Sequence, residues 1–261
     1  MKNSYVWIAF ILAGLLIGCD RNSSQRQAAG KKELMLYCGA GIRPPVAELA
    51  QIFSREHGVK VVTDYAGCEV LISKITLRRQ GDLYMPGDKY YVDQAAAKGM
   101  ILAQKVVCYF VPVIMVQKGN PRNIQTLSDL TKPGIKLGLG DERACAIGRI
   151  SQKIFEKNHI PPSALEKNLA FRSLTVNELG LQIEAGSLDA VIVWDAIAQY
   201  YPETAQQIPI PPAQNVISTV DIAILRFTEN QELAKKFVDF VCSEPGRAVF
   251  KKHHYCVDPP D

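Results

Sequence analysis

The sequence is short of the motifs that would name a chemistry. It contains no G-x-x-x-x-G-K-[ST] loop, no G-x-S-x-G elbow and no H-E-x-x-H helix, so the usual signatures of P-loop ATPases, serine hydrolases and zinc proteases are missing. No C-x-x-C occurs either, which argues against a thioredoxin-like redox motif. Histidine is scarce: His57, His159, His253 and His254 all fall at predicted helix ends, where a solvated or dipole-favoured imidazole is the simplest reading. The charge surplus is only +4, too mild and too dispersed for the dense basic stripe of a nucleic-acid binder. No catalytic nucleophile is placed by neighbouring motifs, and the expectation is a non-enzymatic protein without a cofactor.

One long apolar run is present, at the start. Lys2 precedes an almost wholly apolar Tyr5–Ile17, and Leu16-Ile17-Gly18-Cys19 follows. A run of this length suits a signal h-region better than a permanent span. Its end resembles a bacterial lipobox, with cleavage after Gly18 and lipidation of Cys19; residues 1–18 are then a signal peptide. Residues 19–33 read as a lipidated, polar, flexible tether. Export implies an oxidising compartment, where Cys38, Cys68, Cys108, Cys145, Cys242 and Cys256 could pair in fifteen complete ways.

Beyond the tether, strand-like and helix-like segments alternate. Leu34–Tyr37 is a short apolar strand, and Pro44–Arg55 has Val46, Leu49, Ala50 and Phe53 at the spacing of one helix face. Proline at its start and Gly58 beyond its end delimit that helix. Strands are predicted at Val59–Tyr65, Asp82–Met85, Val106–Gln117, Ile135–Asp141, Ala190–Trp194 and Val216–Leu225. Helices are predicted at 68–79, 89–98, 145–158, 174–185, 229–243 and 245–253, with a short one near Leu127. Such alternation predicts parallel sheets covered by helices, with ligand beyond the carboxyl ends of the strands. The turns there are small: Cys38–Arg43, Ala66–Glu69, Asp141–Cys145 and Ser173–Asn177. Gly39-x-Gly41 starts like a dinucleotide fingerprint, but Pro44 stands where the third glycine belongs. Helix N-termini carry unpaired N–H groups and favour negative charge, so several converging turns of this kind could cradle an anion.

At this point the chain resembles a known family. "LYCGAGIRPPVAELAQIF", "VVTDYAGCEVLISKI", "GDLYMPGDKYYVDQAAAKGMI", "VPVIMVQKGNP", "LSDLTKPGIKLGLGDERACAIGR", "IEAGSLDAVIVWDAIA" and "AKKFVDFVCSEPGRAVF" follow the order and spacing of type II solute-binding proteins of ABC importers. The likeness is strongest to the molybdate- and tungstate-binding group. It implies an α/β fold of two Rossmann-like lobes joined by crossover strands, with ligand in the cleft. Lobe 1 would comprise 34–107 and 218–261, and lobe 2 would comprise 108–217.

The resemblance also implies site residues. Ala40 and Gly41 fall in the first turn, Cys68 and Glu69 in the second, Ala144 and Cys145 in the third, Val176 near a fourth contact and Trp194 at a strand end. Where relatives offer serine hydroxyls in the first two turns and a tyrosine at the strand end, this chain has Gly41, Gly67-Cys68-Glu69 and Trp194. An enclosed anion would then rely on backbone N–H groups and the Trp194 indole, with Arg43, Arg143 and Asp195 as further candidates. Glu69 would repel an oxyanion if it faced the cleft, but it also suits the first turn of a helix exposed to solvent. Cys38, Cys68 and Cys145 leave two alternatives open: disulfides or buried thiols on one side, a soft-metal or metalloid site on the other. An enzyme on the same scaffold, with Cys68 and Glu69 as its reactive pair, is the remaining alternative. The resemblance implies a monomeric periplasmic lipoprotein, held at the membrane by its lipid, that passes a small solute to an ABC permease.

Overall fold

The structure is a computed structural model that describes residues 33–260. The expected signal peptide, Cys19 and nearly all of the tether lie outside the described residues.

In chain order, β1 (Glu33–Gly39) leads through a 3-10 turn (Ala40–Ile42) into α1 (Arg43–His57), then β2 (Lys60–Ala66), α2 (Cys68–Arg78), β3 (Leu83–Met85), α3 (Lys89–Ala97) and β4 (Ile101–Phe110). β5 (Pro112–Gln117) and a second 3-10 turn (Leu127–Thr131) precede β6 (Leu137–Gly140), α4 (Ala146–Lys157), α5 (Pro162–Glu166) and β7 (Leu169–Ser173). α6 (Val176–Glu184), β8 (Ala190–Trp194), α7 (Asp195–Ala198), β9 (Ala205–Pro209), β10 (Ser218–Leu225), α8 (Gln231–Cys242) and α9 (Glu244–Lys252) complete the chain.

The strands form two five-stranded sheets, in the orders β2-β1-β3-β10-β4 and β7-β6-β8-β5-β9. Each has a parallel block on one side, β2-β1-β3 and β7-β6-β8, with antiparallel strands added on the other. Helices cover both, as strand–helix alternation requires. α1 illustrates why the local sequence forms its element. Val46, Leu49, Ala50 and Phe53 are buried, Pro44 and Pro45 occupy the first turn where N–H groups have no helical partner, and Gly58 closes the helix at φ +63° with its N–H on Ser54 O.

Two segments connect the sheets. β4 ends at Phe110 in the first sheet and β5 begins at Pro112 in the second; the return is made before β10. The single run expected over Val106–Gln117 is therefore two strands broken at Val111. Proline brings no N–H to a ladder, which suits Pro112 to a strand start. β4 also carries lobe 1 three residues past the expected change at 107/108. Asn215 Nδ2 donates to Pro112 O at 2.9 Å and ties the two connections together. β7 and β9, both at edges of the second sheet, were not expected from the sequence. "LAFRS" and "AQQIP" carry polar residues that keep edges from recruiting other chains and that hide the strand pattern. No helix among the described residues is long and apolar enough to cross a membrane.

Candidate functional site

Four strand-to-helix turns converge where the sheets meet. A small cavity of about 30 Å³ is walled by Gly39–Gly41 before α1, Ala66–Cys68 at the start of α2, Cys145–Ile147 at the start of α4 and Thr175–Val176 at the start of α6. Gly87, Phe110 and Trp194 complete the wall, and no ionisable side chain other than the thiols of Cys68 and Cys145 belongs to it. By volume it holds about two waters, so it fits a ligand of few heavy atoms.

The turns are glycine-rich because the lobes approach closely there. A Cβ on Gly67 would lie 2.9 Å from Leu174 O and 3.2 Å from Ala144 O, both in the other lobe. A Cβ on Gly41 would lie 2.8 Å from Val176 Cγ1 and 3.6 Å from Trp194 Nε1. The lobes are closed on one another: Glu69 N donates to Ala144 O at 3.3 Å across the cleft. Aromatic rings support the back wall. Trp194 stacks on Phe110 at 4.5 Å between centroids, Phe110 neighbours Tyr255 at 5.8 Å, and the Tyr255 hydroxyl donates to Gly41 O.

Of the residues singled out in the sequence, Ala40, Gly41, Cys68, Cys145, Val176 and Trp194 are brought to this cavity. The others point elsewhere. Glu69 is exposed and lies in an outer groove with Ser73 and Gln94. One residue along a helix is a rotation of about 100°, so the turn that aims Cys68 inward aims Glu69 out. This also removes the Cys68–Glu69 pair from any common site. Ala144 contributes its carbonyl to the lobe contact instead of lining the cavity. Arg43 is exposed and its guanidinium sits 5.1 Å from the Tyr65 ring centroid. Arg143 has an 86% exposed side chain, 3.7 Å from Asp141. Asp195 opens α7, accepts the Ala196 N–H at 2.8 Å and is held by burial at a pKa of about 6.

The cysteines are thiols. All six of Cys38, Cys68, Cys108, Cys145, Cys242 and Cys256 are unbridged, so none of the disulfide pairings allowed by the sequence is formed. The soft-metal alternative is not assembled either: among the described residues no group of three or more His, Cys, Asp or Glu is placed to hold a metal ion. The physical reason is the direction of each sulfur. Cys38 Sγ is fully buried against Gly39 O at 3.6 Å, and Cys145 Sγ donates back to Asp141 O and Ser173 O. Cys68 Sγ, also at the cavity wall, accepts the Gly87 N–H at 3.3 Å. Burial pushes the Cys68 thiol up to about 12 and the Cys145 thiol to about 11, against the pull of nearby N–H groups. Both are neutral S–H groups at physiological pH.

Thr175, Gly87 and Phe110 are wall residues that the sequence reading missed. Thr175 could have been found from its place just before α6, the N-cap position. Its side chain makes no capping bond to that helix, which leaves the hydroxyl available to a ligand.

Over residues 34–256 the sequence matches the family of bacterial extracellular solute-binding proteins. The chain belongs to that family. Among relatives of this solute-binding family, a Haemophilus influenzae protein named as a binding protein is 26% identical over 84% of this chain and 88% of its own length. The molybdate-binding protein ModA of Mycobacterium tuberculosis is 24% identical over 92% of each chain. The solved sulfate-binding protein SubI of Mycobacterium tuberculosis superposes with a TM-score of 0.77 at 16% identity, covering 87% of this chain and 88% of that one. The fold is therefore that of a two-lobed type II periplasmic binding protein near the molybdate-binding group, and the chain is a solute-binding protein of the ABC-importer kind. The family is one of extracellular solute-binding proteins.

Proposed function

We propose that this solute-binding protein captures a small tetrahedral oxyanion of the molybdate type and delivers it to the permease of an ABC importer. The observation that carries the reading is the cavity of about 30 Å³ walled by the starts of four helices with no carboxylate among them. Stripping an anion of water costs several kcal/mol. A hydrogen bond to a charged group returns about 1.5–3 kcal/mol, and a partly buried helix N-terminus up to about 2 kcal/mol. Converging N–H groups, the Trp194 indole and the Thr175 hydroxyl together can offset that cost without a lysine or arginine. The volume favours an ion over a sugar or peptide. Phosphate keeps a proton at neutral pH that needs an acceptor, and the absence of a wall carboxylate favours fully deprotonated dianions. The names of the Mycobacterium relatives, one binding molybdate and one sulfate, agree with this ligand class.

Contacts to both lobes would favour the closed form, so ligand shifts an open–closed equilibrium. The lipid anchor at Cys19 and the monomeric state belong to the same proposal, with the anchor keeping the receptor beside its permease. A ligand that binds only the folded chain raises its melting temperature. A thermal-shift panel of molybdate, tungstate, sulfate, phosphate and divalent soft metals should give its largest rise with molybdate or tungstate. A rise with a metal and none with any oxyanion overturns the proposal.

A further inference from the structure

The cavity wall continues, on each side, into one charged residue that does not itself line the cavity. On lobe 1 it is Asp88, which follows Gly87; on lobe 2 it is Arg149, three residues beyond Ala146 on α4. The Arg149 guanidinium donates to Asp88 Oδ2, and the two side chains are only 14% and 7% exposed. Every other ion pair among the described residues joins groups within one lobe. Asp88 is held in place by its own lobe, and Arg149 makes a second contact across the cleft, to a lobe 1 ring. Asp88 caps α3 by accepting the Tyr90 N–H at 2.8 Å, and the Arg149 guanidinium lies 4.2 Å from the Tyr90 ring centroid.

We propose that Asp88 and Arg149 form an interlobe latch that determines how long the bound solute is held. They are positioning residues, because neither touches the cavity. The pair exists only when the lobes are together, since its members come from opposite sides of the cleft. Removing one member of a buried pair leaves the other charged and unpaired, a large penalty that opening relieves by letting in water. The penalty therefore falls on the closed form alone. The latch also shares its segments with the cavity: an anion seated against Gly87 and Ala146 orders the same two stretches that carry Asp88 and Arg149. Ligand and latch thus each strengthen closure by the other.

The inference rests on the oxyanion reading only for the choice of ligand, so the test has two readouts on the full-length chain. Asp88→Asn retains a good helix cap and removes only the charge, whereas Arg149→Met retains the apolar stem but also gives up the contact with the Tyr90 ring across the cleft. Stopped-flow release of molybdate should be at least tenfold faster in either variant. The double variant should fall well short of the product of the singles, because the second change removes the charge that the first left unpaired. Hydrogen exchange supplies the ligand-independent readout: the Glu69 amide, bonded across the cleft to Ala144 O, should lose protection in both variants while β8 keeps its protection. Release within twofold of wild type overturns the latch, as does unchanged protection at Glu69 or an equal loss of protection in β8. If wild type binds no oxyanion, the ligand reading fails and the exchange result alone decides the latch.

Discussion

Trp194 and Thr175 bring an indole N–H and a hydroxyl to a wall otherwise made of backbone, apolar side chains and neutral thiols. Their contribution should be separable from shape. Trp194→Phe keeps an aromatic ring against Phe110, 4.5 Å away in the native stack, and removes only the donor. Thr175→Val keeps the branched outline and removes the hydroxyl, whose loss leaves α6 without consequence because it caps nothing there. A hydrogen bond to a charged group is worth about 1.5–3 kcal/mol, so each variant should weaken oxyanion binding about tenfold or more. Calorimetric affinities equal to wild type would remove these two groups from the site. At the same scale Cys68 is a neutral surface: with burial holding its thiol at about 12, it brings no negative charge to oppose an anion.

The elements that matter are the helix starts, and their closeness makes glycine a requirement at one position. Gly67 precedes α2, and a Cβ there would meet Leu174 O at 2.9 Å and Ala144 O at 3.2 Å. Those atoms are backbone of the other lobe, so they give way only by the lobes parting. Gly67→Ala should therefore fold with a melting temperature close to wild type in the absence of ligand, yet bind oxyanion at least tenfold more weakly. A variant that binds like wild type would contradict the closeness of the closed cleft. The same element scale separates what the sequence discloses from what it hides. Small residues between a strand and an amphipathic helix marked all four turns, because close backbone approach has a composition. Helix rotation has none: nothing in "GCEV" says that Cys68 turns inward and Glu69 outward until α2 is docked on its sheet. Arg143 was hidden in the same way, its side chain leaving the loop for solvent. Val111 was hidden because a β-rich run of residues looks alike whether it stays in one sheet or passes between two.

Over the whole molecule, the two sheets and the two connections between them were legible in outline from alternating periodicity and from the family resemblance, while edge strands β7 and β9 were too polar to announce themselves. The fold makes one machine of the parts: lobe 1 supplies the starts of α1 and α2, lobe 2 those of α4 and α6, and closure brings the four together with Asp88 on Arg149 beside them. Under the proposed function, a site assembled this way would take one ion per chain and be lost on opening. The most direct measurement of this account is a calorimetric titration of molybdate into the purified full-length chain. The account predicts saturable binding of one anion per chain, retained at moderate salt because the donors are buried and exposed charges play little part. No heat with molybdate, tungstate or sulfate, beside saturable binding of a cation or an amine, would contradict it.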